Sequence, residues 1–323
     1  MKRKLLVSLT LISIMFATVS CGSKAKKNKD SLDGEITISG AFALYPLVVK
    51  WAEEFNKMHP DVKIDISAGG AGKGMTDALS NMADLGMVSR DIYPSEVDKG
   101  AVVFAVAKDA VVPTINADNP IINDIMKIGL SREGAISLWL KNSVKTWEQL
   151  LGMSGNTALH LYTRSDACGA AETWGAWFGA KQEDLEGTAV FGDPGLAQAI
   201  QKDKLGIGYN NLSYAYDEKS RKLNPGIAII PLDVNGNGVV DSGEFFYDTK
   251  DEIIAAIADG RYPSPPAREL FLVSNGVPVK KEVKAFLEFV LTKGQEYNIP
   301  VGYISLSKEI LDEGLDKLQV VDK

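Results

Sequence analysis

The chain has 323 residues, 45% of them hydrophobic and 24% charged, with a formal net charge of -7 at pH 7. That is enough for one large or two ordinary domains with proper cores, and it excludes a disordered chain or a mini-scaffold. The acidic balance argues against nucleic-acid binding, and the one long apolar run, Leu5 to Thr18, is too short for an ordinary transmembrane helix, which excludes a polytopic membrane protein.

That run follows Lys2, Arg3 and Lys4, a basic region ahead of an apolar one, so residues 1–20 read as a secretory signal. It ends at Thr18-Val19-Ser20-Cys21, which resembles a bacterial lipobox with Cys21 as the lipidated, mature N-terminus; cleavage without lipidation is the alternative. Removing residues 1–20 takes away three positive charges and leaves -10. Residues 21–33 carry four lysines and little to bury, the composition of a solvated tether. With Cys21 lipidated, Cys168 is left alone and no structural disulfide is expected. The two histidines, His59 and His160, are too few for a histidine-rich metal site.

From Glu35 the chain alternates. Ile36 and Ile38 predict a strand; Leu44, Leu47, Val48, Trp51 and Phe55 recur at helical spacing until His59-Pro60; Val62, Ile64 and Ile66 predict a second strand. A helix over 74–82, a strand over 85–88 and an apolar stretch over 101–112 follow. The β-α-β rhythm predicts a mainly parallel sheet covered by helices. It resumes after Asn116, with helices over 134–140, 147–151, 169–178, 196–202 and 251–258 and strands over 159–162, 207–209 and 227–230. Tyr262-Pro263-Ser264-Pro265-Pro266 breaks the pattern. A last strand (270–273) and two helices (281–291, 308–318) are too few for a separate core and must return to the first unit. The predicted arrangement is two α/β domains joined by two crossovers: domain I from 34–112 and 268–323, domain II from 113–267.

Three strand-to-helix junctions carry small residues: Gly40-Ala41-Phe42-Ala43, Gly69-Gly70-Ala71-Gly72-Lys73-Gly74 and Cys168-Gly169-Ala170-Ala171. Free N–H groups and the positive end of the helix dipole at such starts favour an anion; ordinary tight turns are the alternative for any one of them. Arg164 offers a planar fork of donors, with Asp166 placed to orient it. Ser89 and Arg90, beside Asp91, offer a similar pair. Spacing for a P-loop or a dinucleotide fingerprint is missing, so the cradle suits something small.

Taken in order, ITISGAFALYPLVVKWAEEF, ISAGGAGKGM, ADLGMVSRDI, TRSDACGA, YPSPPARELFLV and GQEYNIPVGYISL resemble the phosphate-binding lipoproteins of phosphate ABC importers, from Glu35 to Leu318. The resemblance implies the type 2 periplasmic-binding-protein fold, an extracytoplasmic lipid-anchored chain in the cell envelope, monomeric, and inorganic phosphate held between two lobes for delivery to a permease. It maps the anion site to Ala41, Phe42 and Ala43, to Ala71 and Gly72, to Ser89 and Arg90, and to Arg164, Cys168, Gly169 and Ala170. Ala41, Ala71, Cys168 and Ala170 stand where the family usually has hydroxyl residues, and Arg90 falls near its proton-accepting aspartate. Another tetrahedral oxyanion, sulfate or molybdate, stays open, as does a scaffold or adhesin that binds no solute.

Asp233, Asn235, Asn237, the Val239 carbonyl, Asp241 and Glu244, with Gly238 at the turn, fit every ligand position of a twelve-residue calcium loop over 233–244. One structural Ca2+ is expected there, with no cofactor for activity; a polar turn is the alternative. An enzyme reading would use Cys168 as nucleophile with His160 as base. No catalysis is expected.

Overall fold

The computed structural model describes residues 32–319; the expected signal segment, Cys21 and the tether up to residue 31 lie outside the described residues. The strands are β1 (Gly34–Gly40), β2 (Val62–Ala68), β3 (Leu85–Val88), β4 (Ala101–Asn116), β5 (Leu130–Ser131), β6 (His160–Arg164), β7 (Thr188–Val190), β8 (Gly206–Asn211), β9 (Ile227–Ile229), β10 (Leu232–Asp233) and β11 (Ala267–Asn275). The main sheet runs β2-β1-β3-β11-β4-β8-β6-β7, with β9 also on β4; β5 and β10 form a separate small pair.

The sheet is mixed, which corrects the expectation of a mainly parallel one. β1 is parallel to β2 and β3, and β6 is parallel to β7 and β8, as helix crossovers require. Between these groups, β11 is antiparallel to β3 and β4, and β4 is antiparallel to β8 and β9. The reason lies in β4. Its Ala101–Ala110 half pairs with β11, and from Val111 onward it pairs with β8, so one strand carries the chain from one half of the sheet to the other. β11, entering after the proline-rich segment, returns beside it in the opposite direction.

Two hydrophobic clusters flank this crossing. One gathers Ile36, Trp51, Phe55, Phe104, Leu272 and Phe286; the other gathers Val112, Trp139, Trp147, Trp174, Tyr209 and Ile253. The helix Tyr45–Met58 shows how the spacing works: Leu47, Val48, Trp51, Ala52 and Phe55 are all buried on one face. Its larger apolar side chains contribute about 1.5–3 kcal/mol each. Trp51 also donates its indole N–H to the Gly294 carbonyl at 2.8 Å, which satisfies its one polar atom.

The helix Ala71–Leu79 lies so close to β1 that only glycine fits at its contact. A Cβ on Gly74 would stand 2.9 Å from both the Gly40 Cα and the Ser39 carbonyl oxygen. In an open helix, Gly→Ala stabilises by up to about 1 kcal/mol; here the crowding reverses the sign. Gly74→Ala should destabilise the chain by about 1–3 kcal/mol in urea unfolding. Gly243→Ala, with nothing within 4 Å of its Cβ, should leave the midpoint in place.

Candidate functional site

The loops after β1, β2, β3 and β6 all leave the carboxyl ends of their strands, where α/β sheets bind ligands. The structure brings them together. Gly70, at φ +96°, turns the chain into the helix Ala71–Leu79, and a Cβ there would lie 2.6 Å from the Ala167 carbonyl. The Gly72 N–H donates to that same carbonyl at 3.1 Å. Gly169 is packed so tightly against Ser89 that an added Cβ would overlap the Ser89 carbonyl. Phe42 lies under the Arg164 guanidinium, 5.9 Å from ring centroid to Cζ, and its carbonyl accepts from the Tyr214 hydroxyl at 3.3 Å. Residues from both hydrophobic clusters therefore meet across one narrow gap.

The N–H groups of this gap divide into two kinds. Ala41 donates to Met87, Gly72 to Ala167 and Cys168 to the Gln182 side chain. Among the described residues, the N–H groups of Phe42, Ala43, Ala71, Gly169 and Ala170 have no hydrogen-bond partner. All but the half-buried Phe42 belong to buried residues. Ala71 opens one helix and Gly169 and Ala170 open the helix Gly169–Trp177, each start carrying roughly half a positive charge.

Arg164 has no exposed side-chain surface. Its Nε and Nη2 donate to Asp166 at 2.9 and 2.6 Å, and its Nη1 donates to Asp193 at 2.6 Å. Three of its five N–H groups are thus committed, leaving two. Burial opposes the Arg164 charge, but Asp193 and the other negative groups outweigh it and raise its pKa overall. Asp193 is itself fixed by the Asn211 N–H and side-chain amide, at 3.2 and 2.7 Å. Removing Arg164 would strand two buried carboxylates, a loss of about 3–5 kcal/mol for such pairs, so the residue serves the fold as well as the site.

Arg90 is not part of the gathered set. Its guanidinium pairs with Glu96, at 2.7 and 3.0 Å, and covers the Tyr93 ring. Glu96 lies only six residues on, at the start of a short helix, and that local partner claims the fork. Ser89 is buried within the gap.

Four buried residues that sequence reasoning did not single out complete the surroundings: Asp109, Asp193, Asn211 and Arg268. Asp109 and Arg268 face each other across β4 and β11, 3.8 Å apart. Arg268 donates to the Gly169 carbonyl at 3.4 Å and to the Asn211 side chain. Beyond that ion pair, neither Asp109 carboxylate oxygen, nor Arg268 Nε, has a hydrogen-bond partner among the described residues. The available signal was Asp109, a charge beside Lys108 in the mostly apolar run of β4.

Cys168 caps its helix, its Sγ accepting from the Ala171 N–H at 3.4 Å. Burial pushes the thiol up to about 12, against the pull of Arg164, which suits packing better than nucleophilic attack. His160 sits at the other end of β6, bonded to Asp203 at 2.7 Å.

In the 233–244 loop, Asp233 accepts from the N–H groups of Gly236, Asn237 and Gly238, at 2.8–3.1 Å. Asp241 accepts from the amides of Asn235 and Asn237, and Glu244 from the N–H groups of Val234, Asn235 and Asp241. The Val239 N–H bonds Asn237. Among the described residues no three His, Cys, Asp or Glu side chains form a metal-holding cluster. Nor is any helix there long and apolar enough to cross a membrane.

Burial raises the Asp109 carboxyl from 3.8 to about 6, with Arg268 only partly opposing. The folded chain then binds more protons than the unfolded one between these values, so stability falls as pH rises through that window and is level above it. The fall should be of order 3 kcal/mol at most. Urea unfolding between pH 3.5 and 7 should lose that part of the slope in Asp109→Asn.

Residues 25–293 match the model of the PBP superfamily domain. The phosphate-binding protein PstS of Bacillus subtilis is 28% identical over 236 residues, 69% of this chain and 75% of its own. That of Staphylococcus saprophyticus is 25% identical over 326 residues, 98% and 95%. Among solved structures, a phosphate-bound substrate-binding protein from Clostridium perfringens superposes with a TM-score of 0.69 at 20% identity, covering 85% of this chain and all of its own. An ABC-type phosphate transport receptor from Vibrio cholerae gives 0.60 at 18%, covering 84% and 100%. The mixed α/β architecture is the fold these structures share.

Proposed function

Because this chain belongs to the PBP superfamily, we propose that it is an extracytoplasmic solute-binding protein of an ABC importer, which takes inorganic phosphate between two lobes and presents it to the permease. The observation that carries this reading is the set of unpartnered N–H groups, from Phe42 and Ala43 on one side and Gly169 and Ala170 on the other, with Ala71 beside them. A buried N–H without an acceptor costs free energy, and a tetrahedral oxyanion supplies several acceptors at once.

In this reading the lobes are 34–112 with 268–323 and 113–267, hinged where β4 changes partner and where the chain re-enters β11. The anion favours the shut form because its donors come from both lobes. Arg164 contributes its two remaining N–H groups, held in place by Asp166 and Asp193. Arg164, Arg268, Asp109, Asp166 and Asp193 together carry one net negative charge when ionised, so the attraction must come from nearby N–H dipoles and not from bulk charge. Ser89 supplies the one hydroxyl among the assigned residues. The tether 21–33 and a lipid on Cys21 would hold the chain to the membrane as a monomer. No step calls for covalent chemistry.

Gly169→Ala tests this directly. The added methyl meets the Ser89 carbonyl and hydroxyl and would block closure. Calorimetric titration with phosphate should give saturable binding to the native chain and roughly a hundredfold weaker binding to the variant, the effect of about 3 kcal/mol of overpacking. Equal affinity in the two would refute the closure, and heat from sulfate or molybdate alone would reassign the anion.

We also assign Ca2+ to the 233–244 loop. Asp233 draws the chain around one centre, and Asp241, Asn235 and Asn237 already touch; turning the two amides would point their oxygens inward, while Glu244 would have to release its N–H partners. Calcium titration should show one site with Kd of about 0.1–1 mM, as in extracellular modules, lost in Asp233→Ala. No calcium-dependent rise in melting temperature would contradict the assignment.

A further inference from the structure

The turn over residues 41–44 presents two of the free donors, the N–H groups of Phe42 and Ala43, and its first three carbonyls are all occupied. The Ala41 carbonyl accepts from the Leu44 N–H at 3.2 Å. That of Phe42 accepts from the Tyr45 N–H and from the Tyr214 hydroxyl, both at 3.3 Å. That of Ala43 accepts from the Tyr303 hydroxyl at 2.7 Å. Two tyrosines from distant parts of the chain therefore meet on one turn.

A peptide unit is planar and trans, so its carbonyl and the N–H of the following residue point in opposite directions, and whatever holds the carbonyl aims the N–H. The Phe42 carbonyl shares its unit with the Ala43 N–H: Tyr214 holds one end, and the free donor leaves from the other. Tyr303 acts one step further back. It holds the Ala43 carbonyl, whose unit carries the Leu44 N–H; that N–H bonds the Ala41 carbonyl, and the Ala41 unit carries the Phe42 N–H. Each accepted bond also polarises its unit, which makes the N–H at the far end a better donor.

The two hydroxyls are anchored in different places. Tyr303 is buried, and its neighbour Ile304 pairs with Lys108 of β4 through both main-chain groups, at 2.8 and 3.0 Å. In the lobe division proposed above, Tyr303 belongs to the same lobe as the turn. Tyr214 is half-buried on the short helix Leu212–Ala215 that follows β8, in the opposite lobe. The Phe42 ring reaches that lobe too, edge-on to Phe191 with 6.2 Å between ring centroids.

Resting on the oxyanion reading above, we propose that Tyr303 and Tyr214 are positioning residues for the anion: Tyr303 aims the Phe42 N–H from within its own lobe, and Tyr214 aims the Ala43 N–H from across the gap. Bringing the lobes together then completes a donor as well as enclosing the anion.

Tyr303→Phe and Tyr214→Phe each remove one hydroxyl and keep the ring. Calorimetry on the full chain with inorganic phosphate should show binding about three- to tenfold weaker in either variant, the scale of one hydrogen bond. Backbone amide chemical shifts, recorded with phosphate present, separate positioning from packing. Tyr214→Phe should displace the Ala43 amide and Tyr303→Phe the Leu44 and Phe42 amides, while Gly169 and Ala170 keep their native shifts. Unchanged affinity in either variant overturns that tyrosine's role and leaves the oxyanion reading standing. A lower urea midpoint with the Phe42 and Ala43 amides unmoved also overturns the proposal, because that is the mark of packing alone. No phosphate binding by the native chain overturns the oxyanion reading, and the proposal with it.

Discussion

A main-chain N–H taken out of water must find an acceptor, and this fold places five such groups around one gap, four of them on buried residues, without giving them any. The rest of the architecture serves that arrangement. Parallel strands deliver their loops to one edge of the sheet, short side chains at Ala43, Ala71, Gly169 and Ala170 keep the edge bare, and two helix starts lie close together where Gly70 and Gly72 pack on Ala167. Larger side chains would fill the space an anion needs, and additional hydrogen bonds within the chain would use up its donors.

The charges around the gap are arranged for position more than for attraction. Arg164 would be expensive to bury alone, and Asp166 and Asp193 offset that cost while fixing the plane of the guanidinium. Asp193 is in turn fixed by Asn211, whose side chain accepts from Arg268, so one connected network runs from β6 to β11. It passes through the place where β4 leaves one half of the sheet for the other. A change in the relative position of the two halves must therefore disturb the same residues that line the gap, which would couple ligand binding to closure in the function proposed above.

Much of the fold was legible because it rests on local periodicity. Ile36 and Ile38, then Leu47, Trp51 and Phe55, announce a strand and a helix without reference to the rest of the chain, and the glycine turns mark the loop ends. Strand direction was not legible. Nothing within 101–116 states that its two halves pair with different partners, or that β11 returns antiparallel beside it. The gap residues divide the same way. Phe42, Ala71 and Gly169 lie in visible junctions, whereas Asp193 and Arg268 reach the gap from 29 and 104 positions beyond Arg164, through topology alone. Arg90 differs for the opposite reason: its guanidinium is taken up by a partner only six residues away, Glu96, a local pairing that the sequence reading did not weigh.

The central claim is that main-chain amides from both sides of the gap hold the anion. Amide proton and nitrogen chemical shifts, followed by NMR during titration with inorganic phosphate, test it most directly. The account predicts that Phe42, Ala43, Ala71, Gly169 and Ala170 show the largest shifts, together and with one saturation curve. Shifts confined to one side of the gap, or centred on other residues, would contradict it.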